Sequence, residues 1–422
     1  MEDIRSMQAR NVSVIAITAA AVALLALTMG SRSVVGLLLS PLNSATGLGM
    51  ATLSFAVALS QLTWGAAQPF CGMLAERYGA ARIIFVGTLL GALTLALLPF
   101  AHSALLLSAV FAVSGIAATV GSPSLLVGTV SQRVSPERRG LVAGVIGAGT
   151  PLGQLVLAPA TQAIISLAGW VSATLVLAAL SLVALPLALA FRRPPASPAR
   201  TDATPVSIPL RTALASPRYW IINATFFVCG LHVFFLITHL PGAIELCGLS
   251  AGVSAAALAV LGLFNIAGSI AGGIVIQRYS MKRTLALLYA ARAAGIALFL
   301  VAPKTELVVL AFSAWMGLTY MAVLPPTAGL IGKLYGAQRL ATLLGITFVV
   351  HQVGAFLGSW LGGVVLEATG SYDWMWLADV ALAVLAAAVC LAIRESQPQP
   401  TRYAVWPWPP AETVAGALGK SR

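Results

Sequence analysis

Apolar runs broken by rare charges organise this chain. Between Asn11 and Ala75 the only charged residue is Arg32, and none occurs from Ile83 to Gln132 or from Gly140 to Phe191. A helix needs roughly 20 residues to cross the hydrocarbon of a bilayer, so each run holds two crossing helices and a short turn. Turn signals stand where they are needed, at Ser40-Pro41-Leu42-Asn43-Ser44, His102-Ser103 and Ala168-Gly169-Trp170. The pattern predicts helices near 12–39, 50–75, 82–101, 104–131, 139–166 and 170–191. A second set follows near 219–241, 251–277, 283–302, 307–333, 340–366 and 374–393, which makes twelve.

Composition sharpens the class. Of the 422 residues 59% are hydrophobic and 9% charged, and mean hydropathy is +0.94, whereas a soluble domain carries roughly 25% charged residues. An all-α, multi-pass membrane protein is expected, with the lipid bilayer as its surroundings. The net charge of +12 is spread over short loops and not gathered on one face, which argues against nucleic acid as a partner. Of the 24 Lys and Arg, Lys304 alone falls in the loops of one side, and Arg32 and Arg292 lie within helices; the other 21 (24 − 3) share the side of both termini. By the positive-inside rule that side is cytoplasmic, and the expected location is the cytoplasmic (inner) membrane. Cys71, Cys229, Cys247 and Cys390 lie far apart without metal-ligand spacing, so they read as inert thiols, and no metal or cofactor is implied. The apolar run from Val12 to Leu39 is longer than the roughly 7–15 residues of a signal-peptide core.

The two helix sets repeat. Adding 201 carries Gly72, Arg77, Tyr78 and Arg82 onto Gly273, Arg278, Tyr279 and Arg283, and the same offset carries Arg138, Gly144 and Gly153 onto Arg339, Gly345 and Gly354. Residues 1–191 and 218–394 are therefore expected to form two homologous six-helix bundles. Between them, 192–217 is a basic, proline-rich cytoplasmic linker with a short surface helix near Leu210, and 395–422 (Gln-Pro-Gln-Pro, then Trp-Pro-Trp-Pro-Pro) is a flexible cytoplasmic tail.

Twelve helices in two repeated halves, a basic central linker and Gly72-Met73-Leu74-Ala75-Glu76-Arg77-Tyr78-Gly79-Ala80-Ala81-Arg82 after helix 2 resemble the major facilitator superfamily. Glu76 stands where that superfamily's signature usually has Asp. Gly30-Ser31-Arg32-Ser33, Trp64-Gly65-Ala66-Ala67-Gln68-Pro69, Thr238-His239-Leu240-Pro241 and His351-Gln352 resemble a bacterial branch close to monocarboxylate transporters and oxalate/formate antiporters. The resemblance implies a secondary transporter of small organic anions, monocarboxylates above all, working by alternating access as a monomer, with protons as a conceivable co-substrate. The drug-exporter signature Gly-Pro-x-x-Gly-Gly is absent from helix 5, where Gly149-Thr150-Pro151-Leu152-Gly153-Gln154 stands instead. Efflux of a drug or metabolite by proton antiport is the alternative. A membrane enzyme is disfavoured, since the chain has neither HExxH nor a pair of mid-membrane aspartates.

Candidate residues follow from polarity at membrane depth. Arg32 lies deep in helix 1, where a bare cation costs at least about 2.5 kcal/mol. It either binds an anion or snorkels outward, Pro41 being nine residues on. His232 is the repeat neighbour of Arg32 (232 − 201 = 31); it is either an anion- and proton-binding group or a neutral histidine bonded to the next helix. His351 and Gln352 on helix 11 present the same choice, while His239 reads as structural. Gln61, Trp64 and Gln68 share one face of helix 2, and Thr150 with Gln154 lies on helix 5, Asn265 on helix 8 and Tyr320 on helix 10. By resemblance these helices line the substrate path. Gly72, Glu76, Arg77, Gly79 and Arg82, with Arg278 and Arg283 in the second copy, are expected to gate the cytoplasmic side; Gln277 replaces Glu76 there and weakens that lock. Arg292 and Asp379 lie inside helices 9 and 12. Counted at about 1.5 Å per residue, they come within reach of an ion pair, the alternative being Asp379 as a proton carrier.

Overall fold

The computed structural model describes residues 2–131, 133–134, 139–192 and 209–395; the side chains of 2–13, of Glu76 and of a few others lie outside the description. Helices are the only regular elements among the described residues. First come α1 (Glu2–Ser33), α2 (Gly36–Thr46), α3 (Met50–Tyr78) and α4 (Ala80–Leu97). Next are α5 (Ala104–Ala118), α6 (Pro123–Ser131), α7 (Arg139–Gly147), α8 (Gly149–Val183) and the short α9 (Leu210–Leu214) near the expected surface helix. The second half holds α10 (Pro217–Leu246), α11 (Ala251–Val275), α12 (Met281–Val301), α13 (Glu306–Tyr320), α14 (Leu324–Tyr335), α15 (Ala337–Thr369) and α16 (Asp373–Ala392).

Several predicted helices are broken, each for a local reason. The expected helix 12–39 stops at Ser33 and restarts at Gly36, and the predicted turn at 40–44 is instead helical, with Pro41 inside α2. Close packing sets this: a Cβ on Gly36 would stand 2.5 Å from Ile237 O, so two backbones meet there. Helix 104–131 breaks between α5 and α6, where Thr119–Gly121 tighten into a 3₁₀ turn and Ser122 is extended (ψ 147°) ahead of Pro123. Helix 307–333 breaks at a 3₁₀ turn over Met321–Val323, ahead of Pro325 and Pro326. Since 119 + 201 = 320, the two copies carry the same break within one residue. Turn Ala168-Gly169-Trp170 is present, with Gly169 at φ 82° and ψ 166°, where a side chain would be strained.

Ten helical runs among the described residues are long and apolar enough to cross a membrane. One of them, Val142–Phe191, has 50 residues and would span about 75 Å if straight, against a hydrocarbon core of about 30 Å; Gly169 divides it. The 29-residue α3 is not among the ten. Large apolar side chains such as Leu105, Leu167, Leu287 and Val301 stand exposed on the outside, a surface suited to lipid and not to water. The protein is a multi-pass, all-helical membrane protein.

Each half has its own apolar core. Ile17, Leu24, Leu126 and Phe191 pack together before the undescribed 193–208, and Tyr219, Phe226, Leu285, Leu330 and Cys390 after it. The halves meet where α3 packs on α15, α8 on α11 and α2 on α10. Toward one end this seam is tight. Phe55 packs on Phe356 and Trp360 with centroids 6.0 and 5.7 Å away. A Cβ on Gly363 would come 2.6 Å from Met50 O, and one on Gly262 2.8 Å from Pro151 O. Toward the other end the glycines of the same helices (Gly72, Gly273, Gly345) would meet nothing within 4 Å. One end is closed and the other open.

Candidate functional site

Arg32 lies in the last turn of α1 and reaches toward α3. Its Nη2 donates to Gln61 Oε1 at 2.8 Å and to Ser60 Oγ at 3.3 Å, and the guanidinium stands 5.5 Å from the Trp64 ring centroid. Arg32, Ser60 and Gln61 border a cavity of about 100 Å³ together with Ser31, Thr88 and Ser114. A hydroxyl, an amide and an aromatic face solvate the cation, but no carboxylate pairs with Arg32 among the described residues. What this arrangement offers is an anion site with its charge in place.

In the second half a different cluster forms. Arg292 is fully buried and donates to Thr319 O at 2.7 Å, to Tyr320 O at 3.0 Å and to Cys229 Sγ at 3.4 Å, with its guanidinium 5.4 Å from the Tyr289 ring. Both carbonyls stand at the break where α13 gives way to a 3₁₀ turn, and the guanidinium bonds them there. Asn265 serves the same break, accepting from Met321 N–H at 3.4 Å. Asp379 does not pair directly with Arg292. Its Oδ1 lies 3.5 Å from His232 Nε2, and both residues are buried. The expected pair is therefore replaced by a looser Arg292, His232, Asp379 grouping, because backbone carbonyls hold the guanidinium fork.

Two amides sit at the seam. Gln352 packs against Gly65 (a Cβ there would be 2.9 Å from Gln352 Cβ), and Gln154 lies against Gly262. Gln352 Oε1 and Gln154 Nε2 are buried without partners among the described residues, as is Trp64 Nε1. His351 is enclosed by Phe226, Phe234 and Phe348, the nearest centroid at 4.6 Å. His239 bonds Tyr372 and Ser359 O, a structural role. Thr150 is half-buried in the first turn of α8, and the Tyr320 side chain borders the small cavity beside His232 and Arg292. Gln68 faces elsewhere, into a groove of about 1180 Å³ at the open end that Cys71, Gly72, Tyr78, Gly79 and Arg82 also line.

At the signature loop α3 runs on to Tyr78, leaving Gly79 as the whole link to α4. Arg77 and Arg82 are exposed, and Arg77 lies over the Tyr78 ring at 5.3 Å. The Glu76 side chain, expected to be the lock, lies outside the described residues. Arg278 and Arg283 of the second copy are exposed. Sequence reading missed the carboxylate that serves this copy. Glu395 accepts from Ser280 Oγ at 2.6 Å, from the Lys282 N–H at 2.8 Å and from Lys333 Nζ at 3.2 Å. Partial burial works to raise its pKa, but these hydrogen bonds outweigh that and hold the carboxyl below its ordinary value. A second missed carboxylate, Glu367, accepts from Ala51 N–H at 2.9 Å and so caps α3 from the opposite half at the closed end. Its only sequence signal was an acidic residue at the end of a predicted helix.

The Major Facilitator Superfamily matches residues 21–359 and 266–411. The rat Monocarboxylate transporter 13 is 25% identical over 363 residues, covering 78% of this chain and 79% of its own length. The Oxalate:formate antiporter of Oxalobacter formigenes is 24% identical over 338 residues, with 77% and 78% covered. Among solved structures, a bacterial homologue of the human lysosomal transporter Spinster, inward-facing and occupied, superposes with a TM-score of 0.72 at 16% identity, covering 91% of this chain and 96% of that one. That last likeness concerns the fold alone.

Proposed function

The chain belongs to the major facilitator superfamily and is a secondary transporter, and from that premise we propose that it moves small organic anions, monocarboxylates foremost, across the cytoplasmic membrane by alternating access. The observation that carries this reading is Arg32, a cation within an apolar helix that has neutral hydrogen-bond partners and no carboxylate among the described residues. An anionic substrate supplies the missing charge, and removing it from water is favourable only with such a partner. Relatives named for monocarboxylate and for oxalate and formate support the same class.

The proposed topology has twelve crossings, reached by dividing Val142–Phe191 at Gly169 and adding α3 to the ten apolar runs. Both termini are then cytoplasmic, and the open end, which carries the Gly72–Arg82 loop, faces the cytoplasm. Glu76, Arg77 and Arg82, with Arg278 and Arg283, would close that end in the other state. Gln154 and Gln352 lie along the seam that opens and closes, His351 stands beside Gln352, and His232 beside Asp379 is the proposed seat of a coupled proton. The test is counterflow of labelled carboxylates into proteoliposomes holding the purified protein, with and without a pH gradient. Exchange of at least one small carboxylate is expected; exchange of organic cations alone would refute the reading.

A further inference from the structure

Among the described residues each half brings an arginine to membrane depth from a different helix, Arg32 from α1 and Arg292 from α12. In the second half Arg292 occupies the core, and the cavity left beside it and His232 measures about 10 Å³, room for about one water. Asp379, 3.5 Å from His232, brings a carboxyl group into the same core. Subtracting 201 turns Arg292 into Gly91 and Asp379 into Ala178, so at the matching positions the first half has neither the bulk nor the carboxylate. Its cavity measures about 100 Å³, and a Cβ on Gly91 would touch only Ala117 Cβ, at 3.8 Å.

Arg32 lies on the wall of this cavity. Thr88 lines it as well, 3% exposed, and its buried hydroxyl has no partner among the described residues. A cation without a counter-charge, an unpartnered buried hydroxyl and empty space therefore coincide, where the other half supplies carboxylate and bulk from its own chain. We propose that a compact monoanion, a carboxylate of acetate to lactate size, occupies this cavity, held by the Arg32 guanidinium and the Thr88 hydroxyl. Every residue lining the cavity precedes 185, so the anion is held within the first half and not across the seam. The proposal rests on the reading of Arg32 above and adds the location of the site and its size limit. A cavity of about 100 Å³ holds several waters but excludes an aromatic acid.

Calorimetric titration of the purified protein with acetate, lactate and benzoate tests it. Wild type is expected to bind the first two and benzoate at least about tenfold more weakly. Gly91→Leu, which grows into open space, should lower acetate and lactate affinity at least about tenfold, and Thr88→Val, which keeps the shape and removes the hydroxyl, several-fold. Wild-type affinity in both variants, with binding lost in Arg32→Ala, would overturn the cavity site while leaving the transport reading intact. Undiminished binding by Arg32→Ala would overturn both. Should Gly91→Leu fail to purify as a single species, Thr88→Val decides alone.

Discussion

Removing Arg292 should hurt the protein more than removing Asp379. The fully buried guanidinium holds the carbonyls of Thr319 and Tyr320, and it shares one core with Asp379, whose direct partner is His232. In Arg292→Leu each carbonyl that loses the guanidinium costs about 1–3 kcal/mol, and the Asp379 carboxyl is left in that core without a cation beside His232, a further cost. The two carbonyls alone approach the lower end of the stability of a typical domain, about 5–15 kcal/mol. In Asp379→Asn the guanidinium keeps its two carbonyls and the thiol of Cys229, so the loss should stay near 1–3 kcal/mol. The double change Arg292→Leu with Asp379→Leu also removes that carboxyl but leaves the carbonyls stranded, and should fall between the two. Thermal unfolding of the purified variants in one detergent, read together with the fraction that elutes as a single species, ranks them. The order wild type, Asp379→Asn, double variant, Arg292→Leu is expected. If Asp379→Asn proves the worst of the set, Arg292 is held chiefly by that carboxylate and the reasoning fails.

Three further outcomes follow from the closed end of the seam and the clasp at Glu395. Glu367→Gln removes the charge that caps α3 across the halves, worth about 0.3–1 kcal/mol. A cysteine at Phe55 should then label roughly two- to fivefold faster from outside, and an unchanged rate would deny Glu367 a role in closure. Gly36→Ala puts a Cβ 2.5 Å from Ile237 O in the closed arrangement, a clash of about 1–3 kcal/mol; the protein should fold yet lose most transport, and normal turnover would contradict this. Glu395 is held below its unfolded value, so its clasp on Ser280, Lys282 and Lys333 stabilises the fold above that value and is lost as pH falls through the folded one. The thermal advantage of wild type over Glu395→Gln should be full near pH 7 and shrink below about pH 4, and a difference that does not change with pH would refute the clasp.

The sequence carried the class of this protein well because its signals are redundant over many residues. Long uncharged runs, the 201-residue offset and the Gly72–Arg82 motif all point to one family, and the backbone breaks at Thr119–Gly121 and Met321–Val323 fall within one residue of that offset. The position of Arg32 inside an apolar run was also legible. Less legible were the breaks themselves, since a kinked and a straight helix share one apolar pattern. The fate of Arg292 depended on them: its partners are the carbonyls of Thr319 and Tyr320, at the break where α13 ends. Asn265 read as a path-lining amide for the same reason, though its oxygen serves that break. Glu395 and Glu367 were missed because a carboxylate beyond a helix end looks like solvated loop until its partners, 62 to 316 residues away in sequence, fold against it.

Counterflow with Arg32 varied tests the central claim most directly. Proteoliposomes holding wild type, Arg32→Lys or Arg32→Ala would be loaded with a small carboxylate and assayed for uptake of the labelled form. Lys keeps the charge but lacks the planar fork that meets a carboxylate with two parallel bonds, so Arg32→Lys should retain weak exchange and Arg32→Ala none, with both proteins still folded. Wild-type exchange by Arg32→Ala would contradict the account.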